Sequence, residues 1–163
     1  MPATKLLKAR ETKLINMSKK VFSILILILL GGWLITEVAA AQDSPSIKVD
    51  SIDLDEKINK ESLDYGVLLD PNDNIPTEDS IVLFGHRTKD RGPFLRLDEI
   101  KKGDKITLDW PKLGKFNYTV TDTTIMPGDA NLEIDENNSI YLITCDPIGS
   151  TENRLIVKGE IAN

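Results

Sequence analysis

The sequence predicts an all-β domain, either a barrel or a sandwich, preceded by one apolar N-terminal segment. Short apolar runs recur between residues 47 and 161, with proline, glycine, asparagine and aspartate between them. Several of these runs alternate or are rich in β-branched residues, as strands are. Only Phe94–Ile100 has the pattern of a short helix, about two turns long, and Gly103 is well placed to end it.

The first three predicted strands precede this helix. Ile47–Ile52 alternates between apolar and polar residues. Tyr65–Leu69 is a short apolar run ended by the turn residues 70–73. Ile81–Phe84 is continuously apolar and stops at a glycine. Many short strands separated by turn signals favour a barrel or a sandwich.

Four further strands are predicted after the helix. Lys105–Trp110 alternates, and Asn117–Thr124 is rich in β-branched residues. Ile140–Ile143 is continuously apolar, which is typical of a strand buried on both faces. Arg154–Ile161 alternates again to the end of the domain.

The N-terminal forty residues are predicted to form a membrane anchor. Residues 1–20 are rich in lysine and arginine, and no charge occurs between Val21 and Thr36. An apolar run of about 16 to 20 residues is close to the minimum for a helix that spans a bilayer. Basic flanks remain inside, so we expect a cytoplasmic tail at 1–20 and a transmembrane signal-anchor at 21–40. A cleaved signal peptide is the alternative, because Val38–Ala41 offers small residues for cleavage.

The rest of the chain is predicted to be exported. Residues 41–46 are expected to be a linker, and residues 47–163 a single folded extracellular domain. From Asp43 onward there are 14 Lys or Arg against 24 Asp or Glu, so the formal charge is −10. This acidic balance argues against nucleic acid as a partner, because binding to the phosphate backbone requires a basic surface.

Cys145 is the only cysteine and His86 the only histidine of the chain. A single cysteine in an exported domain is a candidate reactive thiol, although a small buried side chain is the alternative. Cys145 ends one predicted strand, and Arg154 opens the next after a loop of eight residues. Cys145 and Arg154 should therefore lie at the same rim of the sheet. His86 also follows a predicted strand, so its side chain can lie at that rim as well.

These three side chains suit acyl transfer. A thiolate can attack a carbonyl carbon and hold the acyl group as a thioester. Histidine can exchange protons with the thiol and with a leaving amine, and arginine can stabilise an oxyanion or bind a peptide backbone. For Arg154 alone, a surface ion pair with Glu152 or Glu160 is the alternative.

The motifs around these residues resemble those of the sortase family, in the same order along the chain. IVLFGHR at Ile81–Arg87 is similar to the strand that ends in the family's Gly-His-Arg. Leu142–Cys145 resembles its Leu-x-Thr-Cys, and Asn153–Val157 contains its Arg-Leu-x-Val. Tyr65–Leu69 and Phe94–Ile106 are similar to an early strand and to the short helix with the turn and strand that follow it.

The resemblance implies an eight-stranded β-barrel and a cysteine transpeptidase. Its substrates would be exported proteins with a sorting signal such as Leu-Pro-x-Thr-Gly, and its acceptor an amine of the cell wall or of a pilin. By position, Cys145 would be the nucleophile, His86 the general acid/base and Arg154 the oxyanion or substrate-binding residue. Thr144 would support the transition state. No cofactor is expected to be required. Some sortases bind calcium, and calcium stays an open alternative here, because the residues 129–138, rich in Asp, Glu and Asn, do not allow its ligands to be placed.

Three further readings follow from the resemblance. The short exported part favours a housekeeping or minor-class member over a pilus-polymerising one. A membrane-tethered barrel that binds surface proteins without catalysis is one alternative. An L,D-transpeptidase is another, but its cysteine usually follows a Ser-x-Gly sequence, whereas Ile143 and Thr144 precede Cys145 here.

Overall fold

Eight strands of the computed structural model close into a barrel, which confirms the fold that the resemblance implies. The structure describes residues 44–72, 76–77, 79–88, 92–135 and 138–162. The strands are β1 Ser46–Val49, β2 Leu54–Asn59, β3 Val67–Leu69, β4 Ile81–Phe84, β5 Lys105–Trp110, β6 Gly114–Pro127, β7 Ser139–Asp146 and β8 Asn153–Ile161.

The order of strands around the barrel is β1-β2-β3-β4-β7-β8-β6-β5, and β5 pairs with β1 to close it. The β2/β3 and β4/β7 pairs are parallel, and the remaining pairs are antiparallel. Because β4 and β7 run in the same direction, the chain leaves both strands at the same rim of the barrel. β8 is antiparallel to β7 and begins at that rim.

Apolar side chains fill the barrel interior because they alternate along most strands. On β5, Ile106, Leu108 and Trp110 are buried, and the residues between them are more exposed. Burying a side chain of this size stabilises the fold by roughly 1.5–3 kcal/mol. A second, smaller cluster of Val82, Tyr141, Ile143 and Ile156 covers the outer face of β4, β7 and β8. β4 and β7 are thus buried on both faces, which explains their continuous apolar runs.

Strand β2 is the element that the sequence did not predict. Its two buried residues, Leu54 and Ile58, are four positions apart, and the three residues between them are charged and exposed. The segment therefore lacks the alternation that marks a strand. Its pairing with β1 and β3 determines its conformation instead.

The predicted helix is present as tighter turns. Leu95, Leu97 and Glu99 each donate a backbone hydrogen bond to the residue three positions earlier, and Leu97–Glu99 is a 3₁₀ helix. Two further 3₁₀ turns overlap predicted strands: Asp50–Ile52 takes the last three residues of the predicted Ile47–Ile52, and Leu63–Tyr65 takes the first residue of the predicted Tyr65–Leu69. The strands there are shorter than predicted for that reason.

Residues 1–43, which include the predicted tail, the predicted anchor and the start of the linker, lie outside the described part of the chain. No helix within the described ranges is long and apolar enough to cross a membrane. Ser44–Asn163 forms one compact unit that holds the barrel.

Candidate active site

Cys145 and Arg154 are neighbours on β7 and β8, and His86 follows β4 two residues after its end; these three residues are called the row. Cys145 on β7 is the direct register partner of Arg154 on β8. On the other side of β7, Phe84 of β4 is the partner of Ile143. His86 and Cys145 each lie two residues further along, so this parallel register directs His86 towards Cys145. The structure thus places Arg154 beside Cys145, and His86 at the same rim of the barrel.

The guanidinium of Arg154 is directed towards the sulfur of Cys145. Its Nη1 lies 3.9 Å from the Sγ, and the same nitrogen donates to the carbonyl oxygens of Thr151 at 3.2 Å and Asn153 at 3.1 Å. The two carbonyl contacts fix the guanidinium without neutralising it. A fixed cation beside the thiol can stabilise a thiolate or a negative charge that develops on a bound carbonyl oxygen.

His86 is held at the end of β4 by the backbone on either side of it. The N–H of Gly85 donates to the carbonyl of Ile143 at 3.2 Å, and the carbonyl of His86 accepts from the N–H of Phe94 at 3.2 Å. The imidazole is 44% exposed, and its Nε2 lies 3.6 Å from a carboxylate oxygen of Asp64. This position leaves the imidazole accessible to a substrate and able to exchange protons with water.

Thr144 faces the barrel interior, away from Cys145. Its side chain is buried, and its hydroxyl donates to the carbonyl oxygen of Gly85 at 2.7 Å. The hydroxyl therefore joins β7 to the chain that carries His86. A contribution of Thr144 to the transition state stays a prediction, and its backbone is the part that lies next to Cys145.

An apolar groove runs along the outer face of the barrel below the row. It has a volume of about 290 Å³ and lies over the outer face of β4, β7 and β8. The segment between β6 and β7 contributes Leu132 and Ile134, β6 contributes Met126, and Arg154 lines the groove as well. An extended peptide lying in this groove would therefore reach Arg154, the register partner of Cys145.

A second cavity, of about 560 Å³, opens on the other side of His86. Carboxylates of Asp64 and Glu56 line it together with His86, Thr88 and Pro93. The linings of the two cavities differ: most residues that line the groove are apolar, whereas the cavity beside His86 has two acidic residues in its lining. A cation would therefore be attracted to the histidine side of the row.

Arg87 is a residue of this site whose importance the sequence reasoning missed. It follows His86, and its side chain is only 4% exposed. Its guanidinium bonds to Asp146, the residue after Cys145, at 2.8 Å, and to Asp98 at 2.7 Å. The available signal in the sequence is a charged residue directly after each of two candidate catalytic residues: Arg87 follows His86, and Asp146 follows Cys145.

The described residues contain no group of three or more His, Cys, Asp or Glu side chains arranged to hold a metal ion.

Comparison with known proteins shows the family to which the chain belongs. The family model "Sortase domain" matches residues 44–162. Sortase A of Listeria monocytogenes is 32% identical over 127 residues, which are 71% of this chain and 55% of that protein. The chain belongs to the sortase family. It spans little more than half the length of this Listeria relative.

Solved structures of sortases have the same fold. The structure of Listeria monocytogenes sortase A superposes with a TM-score of 0.62 at 29% identity, covering 74% of this chain and 87% of that one. Sortase C-1 of Actinomyces oris superposes with a TM-score of 0.64 at 27% identity, covering 75% and 74% of the two chains. These matches cover most of the described barrel.

Proposed function

We propose that this chain is a membrane-anchored cysteine transpeptidase that cleaves a Leu-Pro-x-Thr-Gly-like sorting signal in exported proteins. The observation that carries the proposal is the row of His86, Cys145 and Arg154 beside an apolar groove. An extended peptide would lie in the groove with its scissile carbonyl next to Cys145. The apolar lining suits leucine and proline side chains, because their burial removes apolar surface from water.

The first half-reaction forms a thioester. The thiolate of Cys145 attacks the carbonyl carbon of the threonine, and Arg154 stabilises the negative charge on the carbonyl oxygen. The peptide C–N bond then breaks, and His86 donates a proton to the leaving amine. The C-terminal fragment leaves with that proton, and the acyl group stays on the sulfur.

The second half-reaction transfers the acyl group to an amine of the cell envelope or of a pilin. The amine nitrogen attacks the thioester carbonyl, His86 accepts its proton, and the C–S bond breaks to regenerate the thiolate. The acidic cavity supports an approach from the side of His86, since Asp64 and Glu56 attract an amine that is cationic before it is deprotonated. The reaction uses only side chains of the protein and needs no cofactor.

The proposed location is the cell membrane, with the catalytic domain on the extracellular side. The basic residues 1–20 followed by the apolar residues 21–40 support this orientation. Exported proteins and envelope amines are found together on that side. A housekeeping or minor-class anchoring role is the one we favour within the family.

The test is cleavage of a peptide library by the full chain purified in detergent. Peptides with Leu-Pro-x-Thr-Gly-like sequences are incubated with a glycine or lysine amine, and mass spectrometry follows cleavage and the adduct on Cys145. We expect cleavage after threonine and an acyl adduct that Cys145→Ala does not form. If no peptide is cleaved while a methanethiosulfonate reagent still modifies Cys145, the chain is a binding barrel and the proposal is wrong.

A further inference from the structure

Two side-chain hydrogen bonds join the chain segments of His86 and Cys145, one before these residues and one after them. Before them, the hydroxyl of Thr144 donates to the carbonyl of Gly85 at 2.7 Å. After them, the guanidinium of Arg87 donates to the carboxylate of Asp146 at 2.8 Å. Both bonds join the same two chain segments, one carrying the histidine and the other the cysteine.

These bonds are needed because the strand pairing ends just before the histidine. The parallel pairing of β4 with β7 ends at Phe84 and Ile143, two residues short of the catalytic row. The N–H of Gly85 makes one further backbone bond to β7. Beyond that bond, Thr144 and Arg87 provide the direct side-chain links between the two segments.

The guanidinium of Arg87 is well suited to fix this geometry. It is 4% exposed and planar, and it makes hydrogen bonds in three directions: Nη1 to Asp146, Nη2 to Asp98, and Nε to the carbonyl of Leu95 at 3.3 Å. Its own carbonyl accepts from the N–H of Gly149 in the loop after Cys145 at 3.1 Å. Arginine presents its donors in a rigid fork, which fixes direction as well as distance.

We propose that Arg87, through its ion pair with Asp146, is a positioning residue that sets the distance and orientation between His86 and Cys145. The proposal rests on the catalytic roles given to these two residues in the proposed function. Arg87 is not placed among the reacting groups, because the contacts of its side chain are with Asp146, Asp98 and the carbonyl of Leu95. It acts by holding the two segments in register.

The competing explanation is that Arg87 only stabilises the fold. Substituting its two carboxylate partners, Asp146 and Asp98, one at a time distinguishes a structural role from a positioning role. Asp146 belongs to the strand that carries Cys145, whereas Asp98 belongs to the 3₁₀ turn Leu97–Glu99 on the other side of the guanidinium. Removing either charge leaves a buried guanidinium with one partner fewer, so both substitutions should lower stability. Only the loss of Asp146 should loosen the link between histidine and cysteine.

The experiment compares Asp146→Asn with Asp98→Asn in the full chain. For each variant we would measure the melting temperature, kcat and KM for a cleaved peptide, and the rate of Cys145 alkylation by iodoacetamide as a function of pH. We expect both melting temperatures to fall. Asp146→Asn should lower kcat by about 10- to 100-fold with little change in KM, because small misplacements of catalytic groups cost that much. Asp98→Asn should keep kcat within about twofold of the parent, since the catalytic geometry is not displaced.

The alkylation profile provides a readout that does not depend on peptide cleavage. We expect Asp146→Asn to shift the pH dependence of Cys145 alkylation and Asp98→Asn to leave it unchanged. If the parent chain cleaves no peptide, the proposed function fails while these profiles still decide the role of Arg87. Equal effects of the two variants on kcat and on the alkylation profile would overturn the positioning role.

A variant of the arginine itself covers the case in which Asp146→Asn does not fold. Arg87→Lys keeps the charge but loses the fork, so kcat should fall while Arg96→Lys leaves it unchanged. Arg96 is a matched control because it also pairs with two carboxylates, Asp53 and Glu99, but is 41% exposed and outside the row. Full activity of Arg87→Lys in a folded protein would contradict the proposal.

Discussion

Cys145 and Arg154 are direct register partners on β7 and β8, and the Nη1 of Arg154 lies 3.9 Å from the Sγ of Cys145. The same nitrogen is oriented by the carbonyl oxygens of Thr151 and Asn153. The position of the cation beside the thiol is therefore fixed by backbone that surrounds it, and it does not depend on an acidic partner. The residue at position 154 therefore needs the donor geometry of a guanidinium as well as its positive charge.

Arg154→Lys is predicted to lower kcat about 10²- to 10³-fold, the loss typical of removing one oxyanion donor. A lysine ammonium is a single point charge and cannot reach the sulfur and both carbonyl groups with the same geometry. The melting temperature should change little, because Arg154 forms no ion pair that the described contacts record. Kinetics of peptide cleavage and thermal unfolding of the full chain would check this, and a kcat within threefold of the parent would contradict it.

Leu132→Asn is predicted to raise KM for the peptide while kcat changes little. Leu132 packs on the outer apolar cluster of Val82, Tyr141, Ile143 and Ile156 and lines the groove. An amide there would reduce the apolar surface offered to the substrate, and a single contact of this kind is worth roughly 1–3 kcal/mol, or 10- to 200-fold in specificity. Steady-state cleavage of one peptide over a range of concentrations would measure it.

The matched control for the groove is Leu113→Asn. Leu113 is 45% exposed and lies in the turn between β5 and β6, and it does not line the groove. The control should keep the KM of the parent. An equal rise of KM in both variants would show that the groove is not where the peptide binds.

Gly92→Ala is predicted to impair catalysis by displacing the backbone of His86. Gly92 has a φ of +136°, and an added Cβ would lie 2.1 Å from the carbonyl oxygen of His86. The carbonyl has to move, and the imidazole moves with it, so kcat should fall by at least about tenfold. Peptide cleavage kinetics together with the melting temperature would record both effects.

Gly103→Ala is the control that distinguishes displacement of a neighbouring residue from backbone strain at the substituted glycine. Gly103 also has a positive φ, +96°, but apart from its chain neighbours no heavy atom of the described residues lies within 4 Å of an added Cβ. Strain of this kind costs about 1–3 kcal/mol, so the control should lose stability and keep kcat. If both variants lose the same stability and neither loses activity, the contact between Gly92 and His86 has no catalytic importance.

The candidate site was largely predictable because its residues are single or stand at the ends of recognisable strands. Cys145 and His86 are unique in the chain, and each follows a continuous apolar run that is buried on both faces. The sequence indicated that Arg154 and Cys145 share a rim, and the structure places them as direct partners, since β7 continues past the predicted Ile143 to Asp146 and β8 begins at Asn153.

The rest depended on contacts between segments distant in the chain. Strand β2 has no alternation of its own and exists through its pairing with β1 and β3. The ion pair of Arg87 with Asp146 spans 59 positions, and neither residue differs in type from the many charged residues on the surface. Arg87 differs from those surface residues in being buried, and the burial of a single charged residue leaves no periodic pattern in the sequence.

Tyr118 leads to a prediction about stability at high pH. Its side chain is fully buried, and its hydroxyl has no hydrogen-bond partner among the described residues. Burial raises the pKa of Tyr118 to about 12, above the unfolded value of about 10. Between these two values the unfolded chain has lost the proton and the folded chain keeps it. The contribution that the shifted pKa of Tyr118 makes to the free energy of unfolding is therefore complete below pH 10. It is lost as the pH rises through the folded pKa of about 12.

Tyr118→Phe should remove this alkaline loss and stabilise the protein at neutral pH. Deleting a buried hydroxyl without a partner removes its desolvation penalty, which is about 1–3 kcal/mol. Tyr141→Phe is the matched control, because the hydroxyl of Tyr141 accepts a hydrogen bond from the N–H of Asp135 at 3.3 Å, and its removal should cost about 0.5–1.5 kcal/mol. Urea unfolding of both variants and the parent from pH 7 to pH 11.5 would test the pair. A Tyr118→Phe variant that is less stable than the parent at pH 7, with the same alkaline slope, would mean that the hydroxyl has a partner in solution.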